Sequence, residues 1–127
     1  MIMIVDDDMA MAESCLMYLE AQGFHVSIAA DGADALFRIK EKAHDLVISD
    51  CAMPGMSGQE LSERLKADPA TAHMPVLLMS GSMRCELGGS ASYDAFLRKP
   101  FLAENLLAEV RHLLNGTPLP VKAHLKA

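Results

Sequence analysis

The chain contains no tryptophan, aromatic residues make up only 5% of its 127 positions, and its three cysteines stand far apart. Cys15, Cys51 and Cys85 form no CxxC pair, which argues against a zinc ribbon or a disulfide framework and fits reduced thiols. Long apolar runs are missing too. Hydrophobic residues reach 51% of the chain, yet every run is shorter than the roughly 20 residues a membrane-spanning helix needs. No basic segment precedes a long apolar stretch at the N-terminus, so neither a secretory signal nor membrane insertion is expected, and a cytoplasmic location is. Basic charge is also scarce. A net charge of -6 and the absence of a basic stripe interleaved with aromatics argue against a nucleic-acid surface. His25, His44, His73, His112 and His124 show no ligand spacing and are expected on the solvated surface. The ten methionines read as adaptable core filler.

What is present is a regular alternation of short apolar runs and amphipathic stretches. Residues 2–6 read as a strand, and about 9–22 as a helix with Ala12, Cys15, Leu16 and Leu19 on one face, stopped by Gly23. Phe24 to Ala30 reads as a second strand. Asp31 caps a helix to about Lys42 whose Ala35, Leu36, Ile39 and Ala43 share a face. Residues 45–50 form a third strand. Ser57-Gly58-Gln59-Glu60 is a capping box, opening a helix to about Asp68 before Pro69. Strands follow at 75–80 and 94–99. A last helix spans about Leu102 to Leu114 with Leu106, Leu107, Val110, Leu113 and Leu114 inward. Near-continuous apolar strands separated by helices predict a parallel sheet covered on both faces, in one domain. Residues 1–114 are read as that domain and 115–127 as a linker or tail.

Four of these apolar segments end in a polar group. Asp6-Asp7-Asp8 follow Met1 to Val5, Asp50 closes Leu46 to Ser49, Ser80 ends Pro75 to Met79, and Lys99 ends Asp94 to Arg98. Neighbouring parallel strands would bring the acids, the hydroxyl and the ammonium to one sheet edge, where open α/β sheets place their chemistry. Each residue also has an ordinary reading. Asp8 suits a helix N-cap, Asp6 and Asp7 suit a helix start, and Lys99 suits a solvated strand end.

Taken together, Val5-Asp6-Asp7-Asp8, Asp50 with Met53-Pro54-Gly55-Met56-Ser57-Gly58, Pro75-Val76 leading to Ser80, and Lys99-Pro100-Phe101 resemble the receiver domain of two-component response regulators, over nearly the whole chain. The resemblance implies a flavodoxin-like (CheY-like) doubly wound α/β sheet of order 2-1-3-4-5. It implies that Asp50 accepts a phosphoryl group from the phosphohistidine of a histidine kinase or phosphotransfer domain. It also implies Mg2+ or Mn2+ held by Asp7, Asp50 and the Ala52 backbone carbonyl, with Asp6 acting through water. Lys99 and Ser80 would contact the phosphoryl group, Ser80 and Phe96 would form the conformational switch, and the Lys99–Pro100 bond would be cis. The domain would be a signalling switch rather than an enzyme, acting on a downstream protein that the sequence does not name, with a homodimer left open.

Several positions depart from the family pattern. Ser80 stands for the commoner Thr, and Gly81 for Ala. The Ser80–Lys99 stretch is short and carries Gly88-Gly89, so the fourth helix is expected to be short or irregular. Leu102 stands where a capping side chain is common. Ala52 and Ser82 lack a carboxylate or amide to orient water, which implies slow self-dephosphorylation. Two other readings stay open. Asp6-Asp7-Asp8 contains the Asp-x-Asp pattern of haloacid-dehalogenase-like phosphatases, with Asp6 as nucleophile, and a pseudo-receiver would bind partners without phosphorylation.

Overall fold

The computed structural model of the protein describes residues 1–81 and 93–115. Strands β1 (Ile2–Val5), β2 (Val26–Ala29), β3 (Leu46–Asp50), β4 (Val76–Ser80) and β5 (Ala95–Arg98) form one sheet in the order β2-β1-β3-β4-β5, as the resemblance implied. Helices α1 (Met9–Ala21), α2 (Gly32–Glu41), α3 (Gly58–Ala67) and α4 (Ala103–Asn115) lie between or after them. The short or irregular helix expected within 83–92, and most of the tail, lie outside the described residues, as do Ser82, Cys85 and His124.

All four strand pairings are parallel. Their register sets Val5 opposite Ser49, Asp50 opposite Met79 and Ser80 opposite Arg98, so the carboxyl ends finish along one edge. Alternate residues of the strands serve opposite faces. Met3, Val5, Val47 and Leu78 pack with Ala35 and Ile39 of α2 and Leu61 and Leu65 of α3. Ile2, Ile4, Ile48, Leu77 and Met79 pack with Ala12, Cys15 and Leu19 of α1 and Leu106, Val110 and Leu113 of α4. Each such side chain contributes about 1.5–3 kcal/mol by leaving water, which makes the two-faced burial the main stabilising term.

The helix starts follow the sequence. Asp8 accepts from the Met11 amide at 3.2 Å, Asp31 from Asp34 at 2.8 Å and Ser57 from Glu60 at 3.1 Å. The Glu60 carboxylate accepts from Arg64 at 3.0 Å, one turn on. After α1, Gly23 takes φ +99°, a left-handed conformation that glycine adopts without strain. Of two expectations about helix ends, the first needs correction and the second holds. Ala43 does not continue the buried face of α2, because Lys42 turns to extended φ -146° and ψ 137° and carries Ala43 into solvent. Leu102, 61% exposed, offers no side-chain cap, but Asn105 Oδ1 accepts from the Leu102 amide at 3.3 Å. That contact is the reverse half of a capping box, supplied from within the helix.

Two clips hold the amino edge of the sheet. Lys66 Nζ donates to the Met74 carbonyl at 2.9 Å and to Asp94 Oδ2 at 2.8 Å, and the same oxygen accepts from the Val76 amide at 2.8 Å. This ties α3 to the starts of β4 and β5. The second clip corrects the expectation that His44 is solvated. His44 is half-buried, with Nδ1 2.8 Å from the Lys42 carbonyl and Nε2 3.0 Å from Ser27 Oγ. A carbonyl only accepts, so Nδ1 carries the proton and Nε2 accepts from Ser27. Burial lowers the His44 pKa, partly opposed by the Lys42 hydrogen bond. His112 is also half-buried rather than solvated.

Asp94→Ala strands the buried Val76 amide and removes the carboxylate partner of Lys66, so denaturant unfolding is expected to report a loss of about 1–3 kcal/mol. His44 is harder to protonate in the folded state than in the unfolded chain. Its contribution is therefore complete above the unfolded pKa of about 6.5 and declines as pH falls through and below that value. Urea midpoints followed from about pH 8 to about pH 5 are expected to fall less steeply in His44→Gln than in the wild type.

Candidate functional site at the carboxyl edge of the sheet

Because the strands are parallel and in step, the polar residues that end them meet. Asp6 follows β1 and is completely buried, Asp7 is exposed, and Asp50 at the end of β3 is half-buried. Their carboxylates each offer an oxygen within 4.8 Å of the others. Two like charges at that distance repel by on the order of 3 kcal/mol at an effective dielectric of 20, so the cluster needs cationic compensation. Lys99 supplies part of it. Its Nζ lies 3.3 Å from Asp6 Oδ2 and 3.5 Å from Asp50 Oδ1. The other oxygen of Asp6 accepts from the Asp8 amide at 2.9 Å.

The remaining charge imbalance shows in the titration of these groups. Burial pushes the Asp50 pKa above the ordinary carboxylate value. Lys99 pulls it down through its charge and hydrogen bond, while Asp6 and Asp7 push it up. Burial works against the charge on Lys99 as well, but Asp50 and Asp6 outweigh it and hold the ammonium pKa above its usual value. The lysine is thus firmly charged, while the carboxylate remains under-compensated. Cys15, buried in α1, keeps a raised thiol pKa through burial and then the charge of Asp6, which fits an inert core thiol.

The backbone around these groups is closely held. The Lys99 amide donates to the Ser80 carbonyl at 2.8 Å, locking the end of β5 to the end of β4, and the Lys99–Pro100 peptide is cis. Ser80 is 1% exposed at the last position of β4. A Cβ placed on Gly81 would sit 3.7 Å from Lys99 Cβ, an ordinary contact, so the glycine is not required there by space. Ala52 is exposed in the loop after β3, where Gly55 takes φ +75°. Phe96 is half-buried on the α2–α3 face, its ring centroid 6.4 Å from that of Tyr93 at an interplanar angle of 53°. The edge therefore unites Asp6, Asp7, Asp50 and Lys99, with Ser80 closing the adjacent strand. Asp8 turns away to cap α1.

In the sequence Ser49 stands out only as part of an apolar run and Gly58 only within the Met53–Gly58 motif and the capping box, yet both approach the backbone of Asp50. Only a packed structure reveals such contacts. A groove of about 410 Å³ lined by Ser27, Phe37, Arg38 and His44 lies under α2, near the starts of the strands rather than beside the carboxylates.

A doubly wound parallel sheet with three carboxylates and a lysine at its carboxyl edge defines a flavodoxin-like domain with an acidic pocket. The chain belongs to the response regulator receiver domain family, which matches residues 2–111. It is 33% identical over 110 residues to the DNA-binding response regulator MtrA of Mycolicibacterium paratuberculosis, covering 87% of this chain and 49% of that protein. The chain thus spans about half the length of the curated relatives it matches. The signal receiver domain of a signal transduction histidine kinase from Syntrophus aciditrophicus superposes with a TM-score of 0.85 at 30% identity, covering 94% of this chain and 92% of that one. The chemotaxis protein CheY4 of Vibrio cholerae gives 0.81 at 29% identity, covering 88% and 96%. Receiver domains are signalling domains of two-component phosphorelays and bind Mg2+ at an acidic pocket. Three carboxylates with oxygens within 4.8 Å suit such a hard cation, which prefers oxygen ligands. No described helix is long and apolar enough to cross a membrane.

Removing the lysine tests the charge balance directly. In Lys99→Ala the Asp50 carboxyl is expected to titrate at a higher pH than in the wild type, as followed by carboxyl-carbon NMR. An unchanged or lower titration would contradict the assigned pairing.

Proposed function

We propose that this chain is a phosphorelay receiver in which Asp50 takes a phosphoryl group from a phosphohistidine on a histidine kinase or phosphotransfer domain. The observation that carries the reading is the difference between the carboxylates. Asp6 is fully buried with its oxygens engaged by the Asp8 amide and Lys99, whereas the Asp50 side chain keeps 13% exposure and faces the same lysine. An accessible carboxylate beside a fixed cation suits nucleophilic attack. This favours Asp50 over Asp6 as nucleophile, and so a receiver over a haloacid-dehalogenase-like phosphatase.

In this reading an Asp50 oxygen attacks phosphorus, the phosphorus–nitrogen bond breaks, and its electron pair leaves with the imidazole, which takes a proton from solvent. Asp6, Asp7, Asp50 and the Ala52 carbonyl would hold a magnesium or manganese ion, which supplies charge neutralisation for an anion approaching an anion. Lys99, anchored through the Ser80 carbonyl, meets the incoming phosphoryl oxygens as a point charge. The hydroxyl of Ser80 would hydrogen-bond to the same group. Phe96, half-buried on the α2–α3 face, would follow Ser80 inward and report the change to a downstream protein. The receiver occupies residues 1–114, with 115–127 as a linker or tail, and works in the cytoplasm. MtrA is a DNA-binding regulator by name; this chain's acidic charge points its own contacts toward protein.

Incubation with acetyl phosphate and Mg2+ is expected to add one phosphoryl group by intact mass, lost in Asp50→Asn and when Mg2+ is omitted. An adduct that survives Asp50→Asn would overturn the assignment. Ala52 has no polar side-chain group to orient an attacking water, so the phosphorylated form is expected to decay slowly. Ala52→Asn is expected to shorten its lifetime severalfold, and an unchanged decay would remove that explanation.

A further inference from the structure

Ser49 is completely buried at the position before the phosphoacceptor. It falls on the same side of β3 as Val47, facing α2 and α3. Its hydroxyl donates to the carbonyl of Asp50 at 2.9 Å. The next carbonyl, that of Cys51, accepts from the Gly58 amide at 2.9 Å, and the Cys51 amide donates to Met79 at 2.8 Å. A Cβ built on Gly58 would stand 2.3 Å from the Asp50 carbonyl oxygen and 2.9 Å from Cys51 Cα. Both neighbours are backbone, so no side-chain rotation relieves the clash. The first residue of α3 therefore rests directly on the Asp50–Cys51 peptide. By comparison, a Cβ on Gly32 would meet a side chain rather than backbone, first the Met56 Sδ at 2.8 Å.

That peptide joins the two parts of the site that must keep their spacing. At one end is the Asp50 Cα, which aims the carboxylate at Lys99. At the other the chain continues to the Ala52 carbonyl. A tilt of the plane would move both relative to Asp6 and Asp7, which hang from a different strand. We infer that Ser49 and Gly58 are positioning residues for Asp50. They clamp the Asp50–Cys51 peptide from the α3 side and so set the geometry of the carboxylate without touching the phosphoryl group. The inference rests on the phosphoacceptor reading for its kinetic consequence, but its geometric part concerns only where the carboxylates stand.

The test compares Ser49→Ala, Ser49→Thr and Gly58→Ala with the wild type in the full chain. Three quantities are read: melting temperature, Mg2+ affinity by calorimetry without any phosphoryl donor, and the rate of adduct formation from acetyl phosphate at saturating Mg2+. Ser49→Ala is expected to stay folded, to weaken Mg2+ binding, and to slow phosphorylation by on the order of tenfold, the scale of a small displacement of a reacting group. Ser49→Thr, which keeps the hydroxyl, is expected to restore both. Gly58→Ala is expected to give the larger effect; if it fails to fold, Ser49→Ala and Ser49→Thr decide. A merely structural role lowers the melting temperature and leaves Mg2+ affinity and rate in the folded protein unchanged, and that result overturns the inference. A wild type that binds Mg2+ but forms no adduct defeats the phosphoacceptor reading instead, and the Mg2+ affinities of the variants still decide the positioning role.

Discussion

Three carboxylates gathered within 4.8 Å, with Lys99 reaching two of them, impose the requirement that organises this molecule. Such groups separate unless the backbone forces them together. Here the force comes from the parallel sheet, whose strand ends coincide in register and whose two faces are buried by helices. The stability stored in that core is what holds the charges in opposition to their repulsion. The raised Asp50 pKa is the trace of the conflict: burial and its acidic neighbours outweigh the pull of Lys99. The site is left short of positive charge, a deficit that a divalent cation relieves.

The same requirement explains why the backbone near the site is so closely tied. The Lys99 amide is fixed to Ser80, the Cys51 amide to Met79, and the Gly58 amide to Cys51, at 2.8 to 2.9 Å. Each tie links a strand end to its neighbour or to the helix that follows. Side chains brought together at a cost stay aligned only if the chain that carries them has no slack. Away from the carboxylates the structure is looser in kind: i,i+4 ion pairs such as Arg38–Asp34 and Arg64–Glu60 are exposed and contribute little. The Lys66–Asp94 clip and the His44–Ser27 contact close the amino edge of the sheet by hydrogen bonding.

Much of this was legible in the residues. Apolar runs ending in Asp, Ser or Lys marked the strands and their direction, and Asp8, Asp31 and Ser57 marked helix starts through a short-range rule that tertiary packing did not disturb. The misreadings fell where a residue's fate depended on something distant. Ala43 kept helical spacing but not helical backbone, because Lys42 turns to reach β3. His44 looked like a surface residue, since neither Ser27 nor the Lys42 carbonyl is visible as its partner in a linear pattern. Leu102, by contrast, brings no side-chain cap, as its residue type implied, and its amide is met by Asn105 Oδ1.

The residues alone determined the alternation of strand and helix, the burial of both sheet faces, and the identity of the groups at the strand ends. Those follow from hydrophobic periodicity and local capping, which are properties of neighbouring positions. The tertiary structure decided which carboxylate stays open and which is sealed. Asp6 and Asp50 are the same residue type at equivalent strand ends, yet Asp6 is 0% exposed while Asp50 is only half-buried. It also decided the placement of the Asp50 peptide, through a serine hydroxyl behind it and a glycine that leaves room for its carbonyl. Accessibility and close approach depend on atoms far apart in the chain, and only the folded packing brings those atoms into contact.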